Sequence, residues 1–388
     1  MKTTSQTRLL IFLLVFIVLI TSPFWLWHLQ ESKALEVLIM DKTVPNQTYR
    51  EHKGLVWILN NEKYTKKNSK SYSPEKDYIG FKWSNKKQFV KEALPTNLDS
   101  YQLIYLADQY GVYQEELASK NQSGKRSEKI YGGLTHEEVD QIEDTLHKGN
   151  KTLIAEFNTF ASPTENEVKD KVSNLLNVTW SGWIGRYFTD LKSEEVPIWV
   201  KDNYERQNKK WSFTGDGIVL VDRNDFIVVL ESKDLNEKGP MFRFNEGGER
   251  QFKLDKEVPY QYWFDIVKAR DEREVLATYQ IPVTKTGKHK LSDYGIPSEF
   301  PAVVHHKNRK FNSYYFAGDF ADEPEVPGIY QSNLLPFWKK NFDRESSFYW
   351  QVYVPMMKQL LATGLSNMES KKIVGSKTSN RITVKFGK

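Results

Sequence analysis

Apolar and polar positions divide the chain near residue 30. Leu9 to Ile20 is an unbroken apolar run of twelve, and past Thr21, Ser22 and Pro23 it continues through Phe24-Trp-Leu-Trp27 to Leu29. The twenty-one residues from 9 to 29 rise about 31 Å as a helix, which matches the hydrocarbon thickness of a bilayer. Lys2 and Arg8 precede the run, whereas Glu31, Lys33 and Glu36 behind it nearly cancel. Positive charge on the short leading side places residues 1–8 in the cytoplasm and the bulk of the chain outside. Ser22-Pro23 and Ser32-Lys-Ala34 are poor cleavage sites and no small-x-small site lies just after the run, so the pattern predicts an uncleaved, single-pass signal-anchor over 9–29 in the cell membrane.

Beyond the anchor the pattern becomes one of short strands alternating with helices. Leu35–Met40 is a β-branched-rich run closed by Asp41 and predicts a buried first strand. A helix is expected over 47–60, with further strands at Tyr78–Trp83 and Tyr101–Ala107. Thr135 with Glu138 three residues on forms a capping box that opens another helix, and Thr152–Phe157 is the fourth strand. This β-α-β alternation predicts a mostly parallel sheet with helices on both faces, its functional groups gathered beyond the carboxyl ends of the strands. The middle is more β-rich, with a hairpin at 217–230 and an insertion near 177–257. Tyr260–Lys268 predicts a short amphipathic helix. Late strands are expected at Glu274–Tyr279, Ala302–Val304 and Tyr314–Ala317, then a final helix over Phe348–Leu361. The globular domain thus covers 30–364, and 365–388 is a polar tail with a short strand near Arg381–Phe386.

Composition narrows the chemistry. The 388 residues include no cysteine, which removes thiolate nucleophiles, thiolate metal sites and disulfides together. Lys and Arg (55) are interspersed with Asp and Glu (50), so nothing here resembles a nucleic-acid footprint. Eleven Trp, 20 Tyr and 22 Phe supply both a core and amphipathic rings of the kind that line sugar-binding grooves.

Several stretches resemble a known group. The strand ending in Asp41, the later strand before Asp108, Tyr131-Gly-Gly-Leu-Thr-His-Glu-Glu138 and Leu153-Ile-Ala-Glu-Phe-Asn-Thr159 resemble the class I glutamine amidotransferase-like superfamily. Val275-Leu-Ala-Thr-Tyr279, Phe300-Pro-Ala-Val-Val304 and Ser313-Tyr-Tyr-Phe-Ala-Gly-Asp319 resemble the closing strands of its non-glutaminase branch, akin to β-galactosidase-associated and ThuA-like domains. The resemblance spans roughly 34–364 and implies a flavodoxin-like α/β fold. Glutamine hydrolysis is excluded, because the elbow-like position reads Glu156-Phe-Asn-Thr159 and holds no thiol. The Gly-x-Ser-x-Gly elbow is absent too.

Candidate chemistry therefore falls on acids. Asp41, Asp108 and Glu156 end three predicted strands and, with Asp319, are the candidate catalytic carboxyls. Tyr110, Asn158 and Thr159 at the same crest, and Trp183, Arg186 and Tyr187 in Trp180-Ser-Gly-Trp-Ile-Gly-Arg-Tyr187, are the candidate ligand-binding groups. Each has a plainer alternative: strand-end acids commonly serve turns, and such rings commonly pack in a core. Lys42 belongs to the same crest, and His52 is expected to be structural. Asp322, Glu323 and Glu325 are expected in a solvated loop. No cofactor and no metal-ligand set is expected. The leading functional expectation is a thiol-less domain that binds a cell-envelope carbohydrate. The alternatives are a carbohydrate-active hydrolase using a carboxylate pair and a non-enzymatic scaffold of a membrane complex.

Overall fold

The computed structural model describes residues 5–83, 88–119, 124, 126–343 and 347–362; the polar tail and its expected strand lie outside them. The leading apolar run folds as α1 (Ser5–Leu29), whose side chains from Leu9 to Ile20 are all exposed. It is long and apolar enough to cross a membrane. Its far end is fastened to the rest of the protein. Trp27 is buried, donates Nε1 to the Asn61 carbonyl at 2.7 Å, and meets the Tyr330 ring edge-on at 6.0 Å.

Fourteen strands build the two large sheets. The first five are β1 (Val37–Asp41), β2 (Ile79–Trp83), β3 (Phe89–Lys91), β4 (Leu103–Leu106) and β5 (Lys151–Ala155). Next come β6 (Val178–Phe188), β7 (Gly217–Asp222), β8 (Ile227–Glu231), β9 (Met241–Phe244) and β10 (Glu257–Pro259). The last four are β11 (Phe264–Ala269), β12 (Val275–Gln280), β13 (Glu299–Lys307) and β14 (Phe311–Phe316).

The main sheet has ten strands in the order β10-β9-β12-β13-β14-β5-β4-β1-β2-β3. Four neighbouring pairs, from β14 to β2, are parallel. The other five are antiparallel, so the mostly parallel sheet is corrected to a mixed one. The cause is local: three residues separate β13 from β14, too few for a crossover, and a hairpin results. β1, β4 and β5 are buried along their length, as strands covered on both faces are.

The helices hold to their signals. In α2 (Arg50–Asn61) Leu55, Val56, Trp57, Ile58 and Leu59 are buried. The capping box of α3 (His136–His147) forms, with Glu138 N–H donating to Thr135 Oγ1 at 3.2 Å and Thr135 N–H to Glu138 Oε2 at 2.8 Å. α3 packs beside α4 (Asn166–Leu176). The last helix, 348–362, opens on a π-helical turn, Tyr349–Tyr353, and buries Val352, Tyr353, Met356 and Met357.

A second, antiparallel sheet in the order β8-β7-β6-β11 sits over the first. One of its faces joins the main core through Ile218, Leu220 and Leu230; the other packs Phe188, Val219, Val221 and Ile227 against Val200 of α5 (Ile198–Arg206). β11 replaces the amphipathic helix expected over 260–268. Phe264, Asp265, Ile266 and Val267 are buried in succession, a pattern of a strand covered on both faces, and β11 pairs with β6 from Val178–Ala269 to Gly185–Phe264. β9 falls inside the insertion expected near 177–257.

Candidate functional site

The parallel strands deliver their carboxyl ends to one rim. The chain moves outward from β1 to β2, then returns to lay β4 on the other side of β1, so a switch point lies between β1 and β4. Above it, under the second sheet, opens a cleft of about 660 Å³. Glu51, Asp108, Asn158 and Asp319 line it on the crest side, and Tyr110, Tyr113, Trp180, Trp199, Tyr262 and Trp263 supply rings.

Asp108 follows β4 and is held by three donors. Thr43 Oγ1–H (2.6 Å) and the Tyr110 N–H (2.7 Å) donate to Oδ1, and Asn158 Nδ2–H donates to Oδ2 (2.7 Å). Burial nevertheless raises its carboxyl to about 7, the hydrogen bonds pulling the other way. Asn158 stands in the left-handed region, φ 65°, which asparagine tolerates better than other side chains.

Beside it is a denser group. Glu51 from the first turn of α2 and Asp319 and Asp322 from the loop after β14 bring carboxylate oxygens within 4.8 Å of one another. Gly54 permits this approach: a Cβ there would lie 2.3 Å from the Ala321 carbonyl oxygen and 2.7 Å from the Tyr349 ring. Arg50 donates to Asp322 and to the Tyr262 hydroxyl. Among the described residues, Glu51 Oε2 and Asp322 Oδ2 have no hydrogen-bond partner. Burial, and after it neighbouring negative charge, holds the Glu51 and Asp319 carboxyls well above the usual range. Both effects favour a proton on Glu51 and on Asp319. By oxygen chemistry the same set could alternatively hold a hard divalent cation.

The rings form a wall. Trp263 stacks between Phe157 and Trp199 at 6.3 Å on either side. Arg126 lies 5.1 Å over Trp199 and pairs with Asp225 through two bonds of 2.5 Å. Tyr110 and Tyr113 stand 4.7 Å apart, and Lys169 and Arg223 flank Trp180 at 5.3 and 5.5 Å.

Of the candidates read from the sequence, Asp108, Asp319, Tyr110 and Asn158 line the cleft. The others lie off it. Asp41 is fully buried, its Oδ2 2.5 Å from His52 Nδ1 and its Oδ1 accepting the Thr43 N–H at 2.9 Å. Lys42 is buried against Glu138 Oε2 and the Gly133 carbonyl, both at 2.6 Å. Glu156 lies beneath the floor, 1% exposed, with burial raising its carboxyl against the smaller lowering effect of a hydrogen bond to Tyr105, and Thr159 Oγ1 donates to its carbonyl at 2.7 Å. Along β6, alternation turns Trp180 and Ile184 to the cleft and Trp183 and Tyr187 away from it. Trp183 meets Tyr294, and the Tyr187 hydroxyl donates to Asp216. Arg186 lies behind the wall, 4.7 Å over the Tyr262 and Phe188 rings.

Sequence reasoning missed Glu51, Arg50, Trp199, Tyr262 and Trp263, and it placed Asp322 in a solvated loop although its side chain is 1% exposed. The Asp319-x-x-Asp322 spacing after a buried strand was an available signal. Nothing in the chain marked Glu51, because its partners come from 268 residues or more downstream.

No family model and no curated protein matches this chain. Among solved structures it is similar to the carbohydrate deacetylase Agd3, with 10% identity and a TM-score of 0.29 over 74% of this chain and 30% of that one. It is also similar to α-L-fucosidase isoenzyme 2 from Paenibacillus thiaminolyticus, with 9% identity and a TM-score of 0.35 over 78% of this chain and 32% of that one. The chain spans about a third of the length of either. The amidotransferase-like resemblance drawn from the short motifs is corrected, since no family model matches the chain. The stretches that carried its later half, 275–279, 300–304 and 313–319, fall on β12, β13, β14 and the turn beyond, and those three strands pair antiparallel.

Proposed function

We propose that this chain is a membrane-anchored, carbohydrate-active hydrolase that takes a glycan of the cell envelope into the cleft, with its bulk outside the cytoplasm. One observation carries the reading: desolvated carboxyls and half-buried aromatic rings share one cleft beside the switch point of the sheet. Rings suit the apolar faces of sugars, and carboxyls of unlike protonation suit acid–base hydrolysis. In this account Asp319, kept protonated beside Glu51 and Asp322, gives its proton to the leaving-group oxygen as the C–O bond breaks. Asp108, held as an acceptor by Thr43, Tyr110 and Asn158, receives a proton from the attacking water. The cytoplasmic position of residues 1–8 rests on Lys2 and Arg8.

Incubating the full chain in detergent micelles with a panel of envelope polysaccharides, and measuring release of new reducing ends, tests the proposal. Release that Asp319→Asn and Asp108→Asn each lower at least a hundredfold supports it. A second reading, binding without turnover, is favoured by the full set of donors already on Asp108, which suits a fixed structural acceptor. It predicts retention of a glycan with no release by any variant.

A further inference from the structure

We propose that the face formed by Ile329, Leu334, Phe337, Trp338 and Phe342 rests in the interfacial layer of the bilayer that α1 crosses. The inference relies on the membrane-spanning reading of α1 and not on any chemistry in the cleft. These five side chains are 63%, 50%, 57%, 49% and 64% exposed. Among the described residues the other large exposed apolar side chains outside α1, Phe89, Val90, Ile198 and Tyr294, fall at scattered points of the chain, so this face is a concentration rather than background.

Leu334, Phe337 and Trp338 recur at the spacing of one stripe on α6 (Leu334–Asn341), and Phe342 extends the stripe with its ring 5.8 Å from Phe337. A helix of eight residues covers about 12 Å, enough to lie flat but not to span. The occupant follows from position. Tyr330, next to Ile329, is the residue against which Trp27 packs as α1 ends. The anchor is pinned there again by Asn61, and by Lys63, whose Nζ reaches the His28 carbonyl at 3.0 Å and lies 4.7 Å over the Trp27 ring. Trp27 thus sets the level of the lipid headgroups, and the exposed face begins beside that level. Lys339 is paired with Asp343 at 2.8 Å, but Lys340 follows the stripe and Lys256 Nζ donates to the Lys340 carbonyl at 3.0 Å, which places two further cations where anionic headgroups would be. Two contacts, the spanning helix and this face, would fix the orientation of the domain on the membrane.

The absence of native cysteine makes the test direct. Spin labels are placed on the full-length chain at Leu19→Cys, Phe337→Cys and Val90→Cys, one per protein, in liposomes of phosphatidylcholine and phosphatidylglycerol. Collision rates with oxygen, which prefers lipid, and with a water-soluble nickel chelate are then compared. The expected result is lipid-like exposure at 19, water-like exposure at 90, and an oxygen preference at 337 several-fold above that at 90. Water-like exposure at 337 with lipid at 19 would overturn the face alone. Protection of 337 from both reagents would overturn it too, and would indicate a second protein surface. Water at both 19 and 337 would overturn the anchor and the face together.

Discussion

Asn158 donates its side-chain amide to the Asp108 carboxylate over 2.7 Å, and does so from a left-handed backbone. The turn after β5 thereby reaches across to orient an acid that follows β4. Removing the amide removes one of the bonds that favour the charged form. Asn158→Ala is expected to cut turnover about tenfold. It is also expected to move the ascending limb of kcat/KM, predicted near pH 7 for the unmodified protein, to higher pH. A pH–rate profile of the two proteins checks both effects; a limb that stays in place would remove Asp108 from the role of base.

Gly54 sets how closely α2 approaches the Asp319–Asp322 loop. Its replacement by alanine puts a Cβ against the Ala321 backbone, so the helix must retreat and carry Glu51 with it. The expected cost is about 1–3 kcal/mol by overpacking, with a larger proportional loss of activity than of stability. Denaturant unfolding and turnover on the same preparation separate the two.

His52 and Asp41 are both fully buried, and the two imidazole nitrogens face acceptors, Asp41 Oδ2 at 2.5 Å and the Pro74 carbonyl at 2.8 Å. Burial raises the Asp41 carboxyl, while His52 pulls it back down. His52→Ala strands that acid, and the expected loss is about 3–5 kcal/mol. Measured by urea titration, a loss below about 1 kcal/mol would show that the pair contributes little.

Asp265 on β11 is fully buried, accepts a hydrogen bond from the Tyr315 hydroxyl and, among the described residues, leaves Oδ1 unpartnered. Burial raises it from 3.8 to about 7. The folded state therefore holds this proton more tightly than the unfolded chain. Its contribution is complete below pH 3.8, declines as the pH rises toward about 7, and is gone above that. Asp265→Asn is expected to raise Tm at pH 8 and to change it little at pH 4. Thermal melts across that range check it, and equal shifts at both ends would contradict the assignment.

The parallel half of the fold was legible because its strands announce themselves locally. β1, β4 and β5 are short, largely apolar runs with an acid at their end or just beyond it, and Thr135 with Glu138 is a complete cap signal within four residues. β11 was not legible, since a strand buried on both faces lacks alternation and its apolar run passes equally for a helix. The site was half legible. Asp108 and Asp319 stand out as acids after apolar strands, but whether such an acid faces a cleft or a partner depends on what packs above it. Asp41 has the same local signature as Asp108 and is sealed by His52 instead. Glu51 and Trp263 enter only when α2 and the second sheet are brought over the crest.

In the proposed function the cleft carboxyls cleave a glycan that the rings hold. The most direct measurement compares binding and turnover for Asp319→Asn and Trp263→Ala on the polysaccharide the unmodified protein degrades. Asp319→Asn is expected to keep affinity within about threefold while losing turnover, and Trp263→Ala to weaken affinity about tenfold or more. Turnover undiminished in Asp319→Asn, or affinity untouched in Trp263→Ala, would contradict it.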